Sequence, residues 1–240
     1  MARRRVTHMA TSAAGHLIDL AGEQRQRFGL LLAAVIVVFV IQGVASPEVW
    51  EQVVVAVLLA ITFMLALWIA RVRRRVFQVA LVIVVVVLVL SLIEAVNGSV
   101  DNAATRLANA LLVGLAPPAI IVGVVRSLRA NRGVTIEAVF GVLAVYILLG
   151  MFFAAIYGSL EHLASGTFFA QGVKATVPRT MYFSFTTLTT VGYGDLTASS
   201  NLGHTLSMSE ALVGQIYLVT IVSLIVANLG RRPRAEHQQR

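Results

Sequence analysis

The chain has 240 residues, of which 58% are hydrophobic and 12% charged, and its mean hydropathy is +0.85. A soluble domain carries about 45–50% apolar and about 25% charged residues, so this chain has too little polar surface to face water on all sides. The same numbers exclude a disordered chain, and the absence of cysteine excludes disulfides and thiolate metal sites. The composition predicts a membrane protein.

Six apolar runs are each long enough to cross a hydrocarbon core of about 30 Å as a helix. They cover residues 28–45, 49–70, 76–96, 107–125, 134–157 and 205–229. Because lipid offers no hydrogen bonds to the backbone, each run is predicted to be an α-helix. The expected fold class is therefore an all-α, polytopic membrane protein with six transmembrane helices.

The net charge of +8 is distributed unevenly between the two sides of this arrangement. All but three of the 19 Lys and Arg residues lie before span 1, between spans 2 and 3, between spans 4 and 5, or after span 6; the exceptions are Arg106, Lys174 and Arg179. The positive-inside rule then predicts that both termini are cytoplasmic. Topology accounts for the basic surplus, so no nucleic-acid partner is expected, and anionic lipid heads are expected to attract the basic loops.

The longest connection, residues 158–204, contains a segment that a plain helical bundle does not need. Residues 179–189 follow Pro178, a favourable helix start, and are too short to span the membrane, so they predict a re-entrant helix. The run Thr190-Val191-Gly192-Tyr193-Gly194-Asp195 comes next, and its alternating glycines allow successive carbonyls to point to one side. Such carbonyls can replace the hydration shell of a cation. One loop cannot enclose an ion, which predicts that several chains assemble around an axis.

The sequence TTVGYGD resembles the signature of potassium channels, whose selectivity filter consists of four TVGYG loops. Helix, re-entrant helix, filter and helix over 134–229 resemble the pore module of that superfamily, and the whole chain looks most like its prokaryotic six-span members. The resemblance implies that four copies form the pore and that the K⁺ ligands are backbone carbonyl oxygens and one threonine hydroxyl. These ligands belong to Thr190, Val191, Gly192 and Tyr193.

The resemblance also implies a set of residues that support the filter and its outer mouth. They are Tyr182, Phe183, Thr186, Thr189, Gly194 and Asp195. Tyr182 and Phe183 stand where the family often has an aromatic pair that braces the filter, and Asp195 is implied to attract cations. Thr186 stands where some members carry an acid that holds this aspartate, so no clamp between two carboxyl groups is expected.

Two residues of the last span have open interpretations. Gly214 stands where the family often has a hinge in the inner helix, but a glycine there also suits close helix packing in lipid. Glu210 is an acid inside the membrane, which favours a functional role. It is expected either to pair with a Thr or Ser behind the filter or to contact ions.

Residues 28–132 are expected to form a four-helix scaffold that resembles a voltage-sensor domain without sensor charges. A working sensor needs several arginines inside the fourth span, where the field can act on them, and span 4 contains no charge. Arg126, Arg129 and Arg132 lie at and beyond its end, as an anchor or as a short, vestigial sensor. The remaining expected parts are a cytoplasmic segment at 1–27, the pore domain at 133–230 and a short cytoplasmic tail at 231–240.

Together, these features predict a homotetrameric, potassium-selective channel in the cell membrane, with K⁺ as permeant ion and no cofactor. No enzyme is expected, because the sequence contains no recognisable metal cluster, nucleophile–base pair or phosphate-binding loop. One alternative is a non-conducting or modulatory subunit that assembles with other channel subunits. The other is a subunit of a K⁺ uptake transporter, although such transporters resemble four fused pore modules, and this chain has a single filter sequence.

Overall fold

The computed structural model describes residues 27–44, 49–70, 72–97, 110–122, 136–163 and 166–229. Their helices are α1 (Arg27–Val44), α2 (Val49–Ile69), α3 (Arg74–Asn97), α4 (Ala110–Val122), α5 (Ile136–Leu163), α6 (Val177–Leu188) and α7 (Asn201–Leu229). Within these ranges, β structure is limited to one isolated bridge between Phe169 and Ala198. The predicted all-α fold class is confirmed.

Within the described residues, three helices are long and apolar enough to cross a membrane: α1, the segment Arg74–Ile93 of α3 and the segment Ala138–Glu161 of α5. Shorter apolar helical segments lie in α2 and α4. These helices support the expected membrane protein. The count of six spans, the domain boundaries and the orientation of the termini stay predictions, and Arg126, Arg129 and Arg132 lie outside the described residues.

The observed bounds differ from the predicted ones around the re-entrant segment. The outer helix α5 continues to Leu163, beyond the predicted end at residue 157, and α7 begins at Asn201 rather than at residue 205. Both extensions contain polar residues, and hydroxyls there bond carbonyls one turn back: the Ser159 Oγ donates to the Ala155 carbonyl at 2.8 Å, and the Thr205 Oγ1 to the Asn201 carbonyl at 2.9 Å. An apolar run therefore marks the lipid-facing part of a helix and not its ends.

The helices before the re-entrant segment and those around it share one hydrophobic core. Helix α2 packs against α3, and α6 packs against both α5 and α7. The ring of Phe39 on α1 meets the ring of Phe185 on α6 edge to face, with centroids 4.8 Å apart. The missing side chain of Gly114 on α4 leaves room for the ring of Phe152 on α5. The re-entrant helix is thus held on several sides by longer helices.

A cluster of aromatic rings fixes α6 laterally. Phe183 of α6 lies edge to face against Tyr157 of α5 at 5.2 Å and against Phe169 of the preceding loop at 5.6 Å, and Phe168 stacks on Tyr157 at 5.0 Å between centroids. Each such pair stabilises the packing by about 0.5–1.5 kcal/mol beyond its buried area. The cluster therefore makes the position of α6 relative to α5 well defined.

The two ends of the re-entrant segment are paired with each other. The backbone N–H of Ala170 donates to the Thr197 carbonyl, and the N–H of Ser199 donates to the Phe168 carbonyl, both at 2.9 Å. The carboxylate of Glu161, near the end of α5, also accepts hydrogen bonds from the backbone N–H groups of Phe168 at 3.2 Å and Ala175 at 2.7 Å. The loop before α6 and the loop after the filter sequence are therefore joined by backbone hydrogen bonds.

Candidate functional site

The re-entrant helix α6 has 12 residues and is about 18 Å long, which is too short to cross a membrane. It starts after Thr176, whose backbone is extended, with Pro178 in its first turn, where a missing N–H costs nothing. The N–H of Thr189 still makes a helical bond to the Phe185 carbonyl at 3.0 Å, and the helix cannot continue because Thr190 has a φ of +59°. The run that is predicted to be the filter begins at this residue.

The filter backbone alternates in handedness from residue to residue. Thr190, Gly192 and Gly194 have positive φ values of +59°, +52° and +77°, whereas Val191 and Tyr193 between them do not. Thr190 is the one non-glycine residue with positive φ in the described part of the chain. For a β-branched residue this conformation costs about 1–3 kcal/mol, which is characteristic of functional sites.

The alternation sorts the polar groups of the filter into two rows, N–H on one side and carbonyl on the other. The N–H of Thr190 donates to the Thr187 carbonyl at 2.9 Å, and the N–H groups of Val191 and Gly192 donate to the Thr186 carbonyl at 2.9 and 3.1 Å. Among the described residues, no donor reaches the carbonyls of residues 190–193. A row of four unpaired carbonyl oxygens is therefore presented by an exposed segment of backbone.

The outer end of the filter is held by Tyr182. Its hydroxyl donates to Oδ2 of Asp195 at 2.8 Å, and its ring stacks on the ring of Tyr193 with an interplanar angle of 2° and centroids 6.2 Å apart. The Thr186 hydroxyl instead donates to the Phe183 carbonyl within α6. Thr186 therefore contacts the filter sequence through its backbone carbonyl. The phenol of Tyr182, and not an acid as in some members of the resembling family, contacts Asp195.

Gly214 allows α7 to approach the end of α6 closely. A Cβ atom at this position would collide with the Leu188 carbonyl oxygen and lie 2.9 Å from the Leu188 Cδ1. Leu188 is the last residue of α6, so the contact fixes the point from which the filter starts. The structure therefore gives Gly214 a packing role, and the hinge role stays a prediction.

Sequence reasoning missed Gln215. Its Nε2 donates to the Thr190 Oγ1 at 3.1 Å, while that hydroxyl donates its own hydrogen to the Thr189 carbonyl at 2.7 Å. Gln215 thus orients the one side chain expected to coordinate K⁺. The available signal was an amide side chain in an otherwise apolar run, next to the glycine already singled out.

Comparisons with known proteins agree with this geometry. Residues 141–231, which hold most of α5 and all of α6 and the filter, match a family described as "Ion channel". A stretch of 93 residues, 37% of this chain, is 36% identical to the "Potassium voltage-gated channel protein shk-1" of Caenorhabditis elegans and spans 17% of that protein's length. No solved structure matches the chain significantly.

Residues 141–231, less than half of the chain, are thus similar to ion channels. The stretch that is similar to a potassium channel covers 37% of this chain, so the potassium channel superfamily is a resemblance at this point. The origin among six-span prokaryotic members stays a prediction.

Proposed function

We propose that this protein conducts K⁺ selectively and passively across the cell membrane as a homotetramer. The observation that carries the proposal is the row of four carbonyl oxygens, at residues 190–193, that accept no hydrogen bond within the described chain. Four such rows around an axis would replace the hydration shell of K⁺. The carboxyl end of α6, with its partial negative charge, terminates at the start of the filter and favours a cation there.

The exposed side of α7 supports assembly with further copies. Met208, Leu212, Ile216 and Val219 are each more than half exposed and recur at helical spacing along the helix that follows the filter. The ring of Tyr193 is 71% exposed as well. A single chain leaves both the filter and this stripe open, whereas a ring of four copies would bring them against an axis.

Each part of the chain has a proposed role. Thr190, Val191, Gly192 and Tyr193 coordinate K⁺, Asp195 raises the cation concentration at the mouth, and the pore domain spans residues 133–230. Residues 28–132 form the scaffold around it, with cytoplasmic segments at 1–27 and 231–240. No cofactor beyond the permeant ion takes part, no enzymatic step is involved, and membrane lipids, including anionic ones, surround the basic loops.

A flux assay tests the proposal. Purified protein is reconstituted into K⁺-loaded liposomes of neutral and of anionic lipid, its oligomeric mass is measured in detergent, and Na⁺ and Rb⁺ are offered as competitors across a range of voltages. We expect a tetramer whose flux is carried by K⁺ and Rb⁺ and not by Na⁺. A well-folded tetramer without flux under all these conditions favours the modulatory subunit instead, and flux that does not distinguish K⁺ from Na⁺ contradicts the filter assignment.

Replacing Tyr182 by phenylalanine is expected to shorten the conducting state while preserving selectivity. The Tyr182→Phe ring still stacks on Tyr193, but Asp195 loses its hydroxyl donor. The rate of K⁺ efflux from the liposomes is followed over time. We expect this rate to decline several-fold faster in the variant than in the wild type.

The matched control is Tyr217→Phe, which also removes a hydroxyl but one that bonds the Val142 carbonyl of α5 at 2.6 Å and no filter residue. Its efflux should decay at the wild-type rate. Equal decay rates for the wild type and Tyr182→Phe would show that the phenol does not hold the mouth.

A further inference from the structure

A carboxyl group is buried behind the filter where α5, α6 and α7 meet. Glu210 of α7 is fully buried, and so are the two hydroxyl side chains that contact it, Ser184 of α6 and Tyr157 of α5. The Tyr157 hydroxyl lies 2.6 Å from Oε2 of Glu210, and the Ser184 Oγ contacts Oε1. The Ser184 Oγ also lies 2.7 Å from the Gly150 carbonyl oxygen of α5. These three side chains and this carbonyl are called the buried carboxyl cluster below.

The cluster contains more hydrogen bonds than its hydroxyl groups can supply. Three contacts need a hydrogen each: Tyr157 with Glu210, Ser184 with Glu210, and Ser184 with the Gly150 carbonyl. Tyr157 and Ser184 carry one hydroxyl hydrogen each, and a backbone carbonyl carries none. The third hydrogen has one remaining source, the carboxyl group of Glu210. With that proton present, Glu210 donates to Ser184, Ser184 donates to Gly150, and Tyr157 donates to the other carboxyl oxygen.

The surroundings of Glu210 agree with a neutral acid. Within the described residues, no cationic side chain pairs with it, and the groups that contact it from α5 and α6 are an uncharged phenol and an uncharged hydroxyl. An ionised carboxylate buried without a cation would carry a large desolvation cost. Ionisation would also leave the Ser184 Oγ and the Gly150 carbonyl with one hydrogen too few, so that one of the two short contacts becomes a repulsion between lone pairs.

The cluster sets the register between α7 and the filter. Ser184 contacts Glu210, and one turn later on both helices Leu188 meets Gly214. The next contact joins Gln215 to Thr190, a proposed K⁺ ligand. Helices α6 and α7 therefore run in the same direction, and a slip at the first contact would displace the start of the filter.

We propose that Glu210 is a positioning residue for the selectivity filter and that it acts as a neutral hydrogen-bond donor to Ser184, locking α6 to α7. The proposal rests on the proposed function and deepens it, because it names the group that keeps the filter in register with the inner helix. Glu210 does not contact the permeant ion in this role. Of the interpretations open from the sequence, pairing with a serine behind the filter is the one that the contacts favour.

Two substitutions at one position separate a neutral donor from a charge. In Glu210→Gln, the amide N–H replaces the acid O–H towards Ser184 and the amide oxygen still accepts from Tyr157, so each of the three contacts keeps a hydrogen. In Glu210→Leu, the volume is similar, but the Tyr157 hydroxyl loses its acceptor and the Ser184 hydroxyl is left with the Gly150 carbonyl alone. We expect Glu210→Gln to keep the K⁺ over Na⁺ permeability ratio within about twofold of the wild type, and Glu210→Leu to lower that ratio tenfold or more. A Gln variant as unselective as the Leu variant overturns the proposal, because a charge would then be required.

Ser184→Ala provides the partner side of the test. We expect it to reduce selectivity as Glu210→Leu does, and the double variant to lose less than the sum of the two single losses, since the bond between Glu210 and Ser184 is absent from both single variants. Additive losses in the double variant would contradict the shared contact. Thermal unfolding of each tetramer is measured alongside, and only variants that assemble as the wild type does are compared.

A spectroscopic readout keeps this proposal separable from the proposed function. The carbonyl stretch of a protonated carboxylic acid in the infrared spectrum, present in the wild type at neutral pH and absent from Glu210→Gln, is expected whether or not the liposomes conduct. A wild type that conducts no K⁺ but shows this band contradicts the proposed function alone. A conducting wild type without the band contradicts the neutral Glu210 alone.

Discussion

Replacing Gly192 by alanine is expected to abolish K⁺-selective flux while the chains still assemble. Gly192 has a φ of +52°, and a Cβ atom there would meet nothing within 4 Å of the same chain, so the effect is conformational and not steric. An L-residue in this region costs about 1–2 kcal/mol in each chain. Relaxation to negative φ would break the alternation and turn one proposed K⁺ ligand out of the row. Flux of K⁺ and Na⁺ from liposomes and the oligomeric mass measure the outcome.

Gly172→Ala is the matched control for this substitution. Gly172 also has a positive φ, +69°, and open space around it, but it lies in the loop before α6. The same intrinsic strain is therefore introduced away from the filter, and wild-type flux is expected. Selective flux through the Gly192 variant would refute the filter assignment. If both variants lose flux equally, the loss reflects strain on folding and not the filter.

Replacing Gly214 by alanine is expected to destabilise the packing of α7 on α6 and to reduce K⁺ flux. The new methyl group would collide with the Leu188 carbonyl, a backbone atom that cannot rotate away as a side chain can. Overpacking in a dense interior costs about 1–3 kcal/mol for each chain, and relief by moving Leu188 displaces the first residue of the filter. A lower midpoint of thermal unfolding and a several-fold reduced flux are the expected measurements.

Gly43→Ala controls for the general effect of adding a methyl group to a helix. Gly43 lies on α1 with nothing within 4 Å of a Cβ atom, so stability at or slightly above that of the wild type is expected, since alanine favours a helix by about 0.5–1 kcal/mol over glycine. An unchanged unfolding midpoint for Gly214→Ala, together with altered opening, would favour the hinge role over the packing role.

The backbone conformation of the proposed filter was predictable at its glycines because that geometry is local. Glycines at alternate positions permit the positive φ values that the structure adopts at Gly192 and Gly194, and Pro178 with a short semi-apolar run predicts where the preceding helix starts. The left-handed conformation of Thr190 was not predictable in this way, since β-branched residues avoid it in isolation. Its neighbours in the folded chain, including the bond from Gln215, stabilise it.

The supporting contacts depend on which residues meet across helices, and the sequence left them open. Tyr182 was expected as an aromatic brace, but its hydrogen bond to Asp195 follows from the path of the chain around the filter. Glu210 and Gly214 were singled out by type alone, an acid and a small residue in an apolar helix. Their partners, Ser184 and Leu188, follow from the packing of α6 against α7.

The sequence by itself determined the all-α fold class of this protein and the left-handed backbone at Gly192 and Gly194, because hydropathy and glycine spacing act along the chain over a few residues. The tertiary structure alone decided how the filter is held. The paired carbonyls of α6, the buried carboxyl cluster and the contact of Gly214 join residues far apart in sequence. Such contacts arise from the register between packed helices, which depends on the fit of many side chains at once and not on any local pattern.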